Sequence, residues 1–473
     1  MDIKLAGNIK IFYAYSPEDR ELRDELAMRL GRAYVDHLYD GEILAGETRF
    51  KKIEVYLNTA DIILLLISPN FMASDDCYRV QKERALERQA TGEAHVIPII
   101  LRPTDYQGEP FSKLKVLPTG GKPVTSWLDR QEALHDVAVG VRKVITSSLI
   151  KQRIKVAKTY SDQGFYKEAL VTCEETITHI RSTTSLDYNP ALYATLYQVY
   201  GDVLEKPGHT EKALEAYDTA ISFTPEEAHL YAGKGEILFN LKNFADALIV
   251  YTKAISLRRN EPLLHSRRGD VLQQLEHYED ALVAYEAAIR LDRKNADFCK
   301  KRGDVLQILK HYDAAIEAYN AAIHLDPQNV TFYLDKGFTL FRKRDYSQAL
   351  ATYEAAIRIE PHNAQIWRNK GKILGDIAQF EAALAAYEEA IRLEPHNPFL
   401  YKAEGDIFLK LERLEEALAA FEDAVRLDPD FAHAHCSIGT VLDKLADCAY
   451  QKLKQRADHA YHRAKQLGID CRR

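Results

Sequence analysis

The sequence predicts a multidomain chain in which a parallel α/β domain is followed by an all-α solenoid of repeated helix hairpins. Two observations predict this division. In the first 150 residues, short apolar runs alternate with polar stretches of helical length, which is the pattern of a parallel sheet covered by helices. Beyond them, small and aromatic residues recur at a fixed spacing, which is the pattern of stacked helix pairs.

The apolar runs define the strands of the N-terminal domain. They are short and rich in branched residues, as buried parallel strands are, and they lie at residues 9–15 (IKIFYAY), 60–67 (ADIILLLI) and 94–101 (AHVIPIIL). Ser16 is placed to cap a helix that begins at Pro17, because proline is tolerated in a first helical turn. Further helices are predicted over 75–89 and 132–150. The alternation favours a flavodoxin-like sheet, which binds ligands at the carboxyl ends of its strands.

The rest of the chain carries a repeat of 34 residues. Eight glycines, which we call the ladder glycines, keep this spacing: Gly201, Gly235, Gly269, Gly303, Gly337, Gly371, Gly405 and Gly439. Alanines follow the first seven of them at +12 and +19, with an aromatic residue between at +16. Small residues let two helices approach, and the ring fills the groove beside them. The pattern resembles the tetratricopeptide (TPR) repeat, which has this period and predicts a superhelical solenoid.

The positions where these patterns begin and fail divide the chain into four parts. We assign residues 1–150 to the α/β domain and 151–193 to an irregular helical hairpin. Residues 194–433 then hold seven regular repeats, and 434–473 a degenerate last repeat with a capping helix. Terminal repeats of solenoids diverge because one of their faces meets water.

Three stretches of the N-terminal domain resemble the Toll/interleukin-1 receptor (TIR) domain in its prokaryotic form. They are IFYAYSPEDRELRDEL at 11–26, YDGEILAGE at 39–47 and DIILLLISPNFMASDDCYRVQKERALER at 61–88. Domains of this kind often cleave NAD+ at the bond between nicotinamide and ribose. The resemblance therefore implies NAD+ as a substrate, and it implies no separate cofactor.

The resemblance also locates the catalytic position. The family carries a glutamate on the helix after the third strand, four residues beyond a tryptophan that stacks on nicotinamide. Here Gln81 takes the place of the glutamate and Cys77 that of the tryptophan, so the resemblance implies Cys77 as a substrate-binding position. A carboxylate stabilises the oxocarbenium-like ribose that nicotinamide leaves behind, whereas an amide has no charge to offer. Two explanations remain open: a natural pseudoenzyme, or an active protein whose glutamate was exchanged. Glu83 is a poor substitute, since it points about 200° around the helix from Gln81.

The same resemblance implies residues for the substrate pocket and for assembly. The pocket residues lie after the first strand and in the loop after the second: Tyr15, Ser16, Leu44, Ala45 and Gly46. In the same loop, Asp40 and Glu47 are expected to contact a neighbouring TIR domain when copies assemble. The alternatives are a simple turn glycine for Gly46 and solvated charges for the two acids.

In the TPR family, the residue after each ladder glycine lines the inner groove. Five of the eight residues at this position are acidic: Asp202, Glu236, Asp270, Asp304 and Asp406. A partly acidic groove predicts a basic peptide or protein partner. The alternative is local pairing on one helix, for example of Lys300 with Asp304, four residues apart.

Composition excludes several classes of function. The net charge of −7 argues against a sequence-independent nucleic-acid binder. No apolar run approaches the ~20 residues of a membrane span, and the N-terminus lacks the pattern of a signal peptide. The six cysteines form no CxxC pair, so no zinc site is expected. We therefore expect a cytoplasmic protein without a bound metal.

Together these features indicate a TIR-domain NAD+ nucleosidase effector whose repeats sense or scaffold. Such an effector would be activated by TIR self-assembly into an oligomer or filament, as in the prokaryotic antiphage proteins that it resembles. With Gln81 in place, this sequence is expected to be inactive. The alternative is a non-catalytic signalling adaptor that acts through contacts between TIR domains and between the repeats and other proteins.

Overall fold

The computed structural model describes residues 8–39, 49–74, 80–182, 189–446 and 451–469. The chain divides into two compact units, Met1–Leu241 and Lys242–Arg473. Of the helices in the described ranges, none has both the length and the apolar character that crossing a membrane requires.

A parallel sheet forms the centre of the first unit. Its strands are β1 (Ile9–Ala14), β2 (Val35–Leu38), β3 (Ile62–Ile67) and β4 (His95–Ile100). They lie in the order β2-β1-β3-β4, which matches the first four positions of the flavodoxin order. Every residue of β3 is buried, because a central strand of such a sheet is covered on both faces. The predicted α/β fold class is confirmed.

Helices connect these strands. They are α1 (Arg20–Leu30), α2 (Arg49–Thr59), α3 (Pro69–Ala73), α4 (Gln81–Ala90) and α5 (Arg130–Asp162). The helix predicted at Pro17 starts instead as a short 3₁₀ turn, Pro17–Asp19, and α1 follows it. The predicted side-chain cap from Ser16 is wrong, because the Ser16 hydroxyl donates its hydrogen bond to Glu18.

One helix is shared by the sheet and the first helical hairpin. α5 spans 33 residues and crosses residue 150, where the sequence predicted a helix end. Its first part packs on the sheet through residues such as Val137 and Val141. Its last part packs through Ile154 and Ala157 against α6 (Tyr166–Ser182) and α7 (Pro190–Glu205). No glycine or proline lies between 141 and 163, so nothing in the sequence stops the helix.

Helix pairs at the predicted period make up the remainder. In the first unit, α7 is followed by α8 (Thr210–Phe223) and α9 (Ala228–Asn240). The helices of the second unit are α10 (Phe244–Leu257), α11 (Pro262–Gln274), α12 (Tyr278–Leu291), α13 (Ala296–Ile308), α14 (Tyr312–Leu325), α15 (Val330–Lys343), α16 (Tyr346–Ile359), α17 (Ala364–Asp376), α18 (Phe380–Leu393), α19 (Pro398–Lys410), α20 (Leu414–Leu427), α21 (Ala432–Ala446) and α22 (Gln451–Gln466).

Seven of the eight ladder glycines, all but Gly235, are shown to lie directly against an aromatic ring. A Cβ atom on Gly303 would lie 2.7 Å from Cε1 of Tyr319, and one on Gly269 would lie 2.6 Å from Cε1 of Tyr285. Both tyrosines are fully buried. The aromatic ring of the second helix therefore occupies the space that a side chain on the first helix would need, which explains the glycine spacing.

Candidate functional site

Three strand ends meet at one edge of the sheet. Tyr15 and Ser16 follow β1, Ser68 follows β3, and Arg102 comes two residues after β4. β1 pairs with β3, and β3 pairs with β4, all in parallel. Ligands of open α/β sheets bind at this carboxyl edge, so the edge is the candidate site.

The Asp19 carboxylate joins these strand ends. Asp19 is fully buried, and Arg102 donates from Nε to its Oδ1 at 2.8 Å. The Ser68 hydroxyl donates to the other carboxylate oxygen, Oδ2. Because both oxygens already accept hydrogen bonds, Asp19 fixes the geometry of the edge and is not a free acid.

Sequence reasoning missed this network. The available signal was that Ser68 and Arg102 are the first polar residues after two predicted strands, Ala60–Ile67 and Ala94–Leu101. Parallel strands bring such positions to the same edge. The partner, Asp19, had no comparable signal because it lies in a turn several residues beyond β1.

Tyr15 is buried against a cation. The guanidinium carbon of Arg23 lies 4.8 Å from the centre of the Tyr15 ring and 4.0 Å from that of Tyr39. Arg23 is itself buried and forms an ion pair with Asp24 at 3.0 Å. Cation–π contacts of this kind are strongest away from water. Arg23 therefore connects the end of β1 to Tyr39, the first residue of the 39–47 stretch.

Ser16 is buried next to Tyr15, with 2% of its surface exposed. Its hydroxyl donates a hydrogen bond to the Glu18 carboxylate. This bond lowers the pKa of Glu18 below its usual value, because a hydrogen bond to the charged form favours that form. Glu18 is thus held as an anion beside Ser16.

Gln81 is the first residue of α4 and is 5% exposed. The buried positions of α4 are Gln81, Ala85 and Arg88, which lie on one face, whereas Glu83 is exposed. α4 connects β3 to β4, and a crossover helix runs opposite to its parallel strands. Its N-terminus therefore lies at the carboxyl edge of the sheet, where Tyr15 and Ser16 are also found.

The far end of α4 is anchored by Arg88. Nη1 of Arg88 donates to the carbonyl oxygens of Leu57, at 2.5 Å, and Ala60, at 2.8 Å. Nε donates to the Glu93 carboxylate at 3.2 Å. The side chain is buried, and bonds from a cation are stronger than neutral ones. Arg88 thus holds α4 against the segment that enters β3. Because Gln81 lies on the same buried face of α4, this anchor also helps to position Gln81.

The chemistry of the site depends on the group at position 81. A glutamate at this buried position would place a negative charge there, and a fixed charge away from water stabilises a developing positive charge strongly. The Gln81 amide retains the shape and the hydrogen-bonding capacity of glutamate but removes that charge.

The remaining predicted residues of this domain lie outside the described ranges. They are Asp40, Leu44, Ala45, Gly46, Glu47 and Cys77. The predicted roles of the loop and of Cys77 therefore stay predictions.

The acids after the ladder glycines take part in hydrogen bonds within the repeats. Tyr285 donates from its hydroxyl to Asp270 at 2.8 Å, and Tyr319 donates to Asp304 at 2.9 Å. The Tyr217 hydroxyl donates to Asp202 in the same way. These carboxylates join the two helices of a hairpin, so a basic partner would have to share them.

Lysines add to this local pairing. Lys300 lies 2.7 Å from Asp304, and Lys402 lies 2.6 Å from Asp406, each pair four residues apart on one helix. Lys301 reaches Asp270 of the preceding hairpin at 2.9 Å. Burial nevertheless raises the pKa of Asp304, since desolvation disfavours the charged form. Glu236, the remaining acid of the set, lies in α9.

Comparisons with known proteins divide the chain in the same way. A family profile described as the TIR domain matches residues 11–131. Profiles of the tetratricopeptide repeat match residues 201–262, 266–330, 306–373, 364–397 and 405–445.

Individual relatives cover parts of the chain. The protein y4lF of Sinorhizobium fredii is 45% identical over 137 residues, which are 28% of this chain and 42% of y4lF, so the match spans less than half of that relative. YrrB, a TPR protein with an unusual peptide-binding site, is 25% identical with a TM-score of 0.34, over 38% of this chain and 94% of YrrB.

A repeat protein from Cytophaga hutchinsonii, described as TPR repeat-containing, is also similar to this chain. It is 15% identical with a TM-score of 0.45, over 50% of this chain and 98% of the solved one. Sheet order, repeat spacing and family profiles agree: the chain carries a TIR domain at residues 11–131, followed by tetratricopeptide repeats across residues 201–445.

Proposed function

We propose that this chain is a cytoplasmic TIR-domain NAD+ nucleosidase effector of the prokaryotic antiphage type, whose repeats bind a protein partner. TIR self-assembly into oligomers or filaments would activate it, through Asp40 and Glu47. The observation that carries the proposal is the position of Gln81, buried at the start of α4. α4 begins at the carboxyl edge of the sheet, where ligands of this fold class bind.

In this proposal the chain as it stands is the inactive form. NAD+ would bind along the edge formed by Tyr15 and Ser16, with the nicotinamide–ribose bond near position 81. The surrounding bonds, Asp19 with Arg102 and Ser68, hold the edge in place before substrate arrives, and such preorganisation lowers the cost of reaching the transition state. What is missing is the negative charge itself.

The test is nicotinamide release from NAD+ by the full chain and by a Gln81→Glu variant. We expect Gln81→Glu to be at least about 10²-fold faster, because loss of one preorganised electrostatic contact commonly costs about 10²–10³ in rate. The matched control is Glu83→Gln in the Gln81→Glu background, which should stay active because Glu83 lies on the exposed side of α4.

Both proteins should be assayed at concentrations where they assemble, as checked by light scattering. If the assembled Gln81→Glu variant releases no more nicotinamide than the parent chain, the enzymatic proposal is wrong.

The second candidate is a non-catalytic adaptor. The amide of Gln81 favours it, because an adaptor needs no carboxylate at this position. An adaptor would act through contacts between TIR domains and between the repeats and another protein. It predicts that substitution of Asp40 and Glu47 abolishes assembly, and that no form of the chain consumes NAD+.

A further inference from the structure

The repeats of the second unit contain a break in their charge pattern. The residue after the ladder glycine is acidic in α11, α13 and α19, but it is Phe338 in α15 and Lys372 in α17. Three residues before the glycine, α13, α17 and α19 each carry a cation: Lys300, Arg368 and Lys402. In α17, the cation three residues before the glycine is Arg368, and a second cation, Lys372, follows it four residues later.

Arg368 therefore lacks the acidic partner, four residues later on the same helix, that Lys300 and Lys402 have. Lys300 and Lys402 pair with the acids four residues later on their own helices. Arg368 instead faces Lys372 at that spacing, and like charges four residues apart on a helix are unfavourable. Within the described part of the chain, neither Arg368 nor Lys372 forms an ion pair.

A cavity of about 460 Å³ lies at this place, a size within the range of ligand pockets in proteins. We call five of its lining residues the cationic pocket: Phe338, Phe341, Arg368, Asn369 and Lys372. The ammonium group of Lys372 lies 5.1 Å from the centre of the Phe341 ring. The pocket therefore offers two cationic side chains next to two aromatic ones.

The aromatic part of the pocket is open to solvent. Phe338 is 40% exposed, although a phenylalanine gains most from burial. An exposed aromatic ring therefore lies in the same cavity lining as two cations that form no ion pair with the described residues.

One acid also lines the cavity and bears on its charge. The Asp335 carboxylate lies 3.6 Å from the Lys300 ammonium, but Asp304 binds that ammonium more closely, at 2.7 Å. Burial raises the pKa of Asp335, because desolvation disfavours its charged form. With two cations, Arg368 and Lys372, and one acid in its lining, the cavity carries a net positive formal charge. Charge complementarity then selects an anionic partner.

We propose that the cationic pocket binds an acidic internal segment of a partner protein, in which a Glu or Asp follows an aromatic or branched aliphatic residue. The carboxylate would accept hydrogen bonds from Arg368 and Lys372, and the apolar side chain would cover Phe338. This inference rests on the proposed function in one respect, namely that the repeats are the part that binds a partner. It differs from the basic partner that the acidic positions alone predict.

The test uses the full chain, labelled with a fluorophore, and an array of heptapeptides that are N-acetylated and C-amidated. The central residue is Glu, Lys or Gln, and the neighbouring residues are Phe, Leu or Gly. We expect the chain to select Glu peptides with Phe or Leu neighbours. The variants Arg368→Gln and Lys372→Asp should each weaken this binding by about tenfold or more, since bonds to charged groups are worth more than neutral ones.

Lys372→Asp is a sharp test because it recreates the cation–acid pair already present in α13 and α19, so the repeat should fold normally. Lys402→Gln is the matched control: it removes a cation from the same ladder position, but one that Asp406 already binds, so peptide binding should not change. Thermal unfolding of each variant checks that the repeats are intact.

The inference is overturned if Lys peptides bind as well as Glu peptides, if no peptide class is preferred, or if Lys372→Asp binds Glu peptides as tightly as the parent chain. The readout does not involve NAD+. If the parent chain shows no preference for Glu peptides but the Gln81→Glu variant cleaves NAD+, the proposed enzymatic function stands and the cationic pocket does not. If the parent chain prefers Glu peptides but the Gln81→Glu variant cleaves no NAD+, the cationic pocket stands and the enzymatic function does not.

Discussion

At the scale of single residues, hydrogen bonds explain features of the repeats that spacing leaves open. The residue four before each ladder glycine is aromatic or histidine in all repeats but one. Tyr333 donates from its hydroxyl to the carbonyl of Pro327 at 3.1 Å, and the Trp367 indole donates to Pro361 at 3.0 Å. His265 and His435 make the same contact through Nε2. These side chains satisfy carbonyls in the loop between hairpins, where helices leave such groups unpaired.

The contact between ladder glycine and aromatic ring can be tested at Gly303. Gly303→Ala places a Cβ atom 2.7 Å from the Tyr319 ring, a distance that forces one helix away from the other. We expect a loss of about 1–3 kcal/mol in the free energy of unfolding, reduced by the better helix propensity of alanine. Chemical denaturation of the full chain measures this change.

A second substitution separates the steric cause from other causes. In a Tyr319→Leu background the ring is absent, so Gly303→Ala should cost much less than it does in the parent chain. Equal costs in both backgrounds would show that the two residues are not coupled, and the steric account would then be abandoned.

At the scale of elements, neighbouring helices of the second unit bring carboxylates together. Glu404 lies in α19, and burial raises its pKa from the usual 4.5 to about 7, with a further contribution from the negative charges of Glu388 and Asp423. Those two residues lie in α18 and α20, on either side of α19. α19 therefore carries an acid that titrates near neutral pH.

This shift predicts how stability changes with pH. Because the folded chain holds the Glu404 proton more tightly than the unfolded chain, stability falls as pH rises from about 4.5 through about 7. Glu404→Gln should therefore lose less stability than the parent between mildly acidic and mildly basic pH. The measurement is the midpoint of thermal unfolding across that range.

Glu415→Gln, an exposed position on α20, serves as the control and should follow the parent. Identical pH profiles for Glu404→Gln and the parent chain would contradict a titration of Glu404 in this range.

The elements also show how far the sequence predicts the fold. The repeat spacing predicted the helix pairs because each pair is specified locally, by glycine, alanine and one ring. The backbone conformation of the turns inside the hairpins could not be predicted from such a local pattern. Glu276, Lys310 and Glu412 adopt positive φ angles of 61°, 63° and 59°, a conformation that normally signals glycine. Here the charged residues lie at helix C-termini, where Glu276 donates its backbone N–H to the Gln273 carbonyl and Lys310 donates to that of Gln307, as in a helix C-cap.

The candidate site was predicted in part. The family pattern indicated Tyr15, Ser16 and Gln81, and the parallel sheet accounts for their common edge. The network of Asp19, Ser68 and Arg102 depends on how three strand ends, distant in sequence, are aligned. No local pattern in the sequence records that alignment, so this part of the site required the structure.

At the scale of the whole molecule, α5 joins the TIR sheet to the first hairpin without a flexible segment. Both of its parts are buried, one in the core of the sheet and the other in the core of the first hairpin. The sheet and the first hairpin are therefore joined by one continuous helix within the same compact unit, which is the kind of element that a sensing role would use.

Breaking this helix should separate the two cores. Ser147→Pro removes a helical hydrogen bond and introduces a clash, at a cost of about 3 kcal/mol or more. We expect new protease cleavage near the middle of α5 and a broader thermal transition of the full chain. Ser147→Ala is the control and should resist proteolysis as the parent does. A Ser147→Pro chain that is cut no faster than the parent would show that α5 does not couple the two cores.

The continuity of α5 also restricts how such chains can diverge. Each residue added to an α-helix turns everything beyond it by about 100° and moves it by about 1.5 Å. A single insertion in α5 would therefore point Ile154 and Ala157 away from α6 and α7 while Val137 stayed on the sheet. Evolution can lengthen or shorten this connection only in steps close to whole helical turns, so homologues should differ here by three, four or seven residues, and alignments that place other gaps in α5 should prove incorrect.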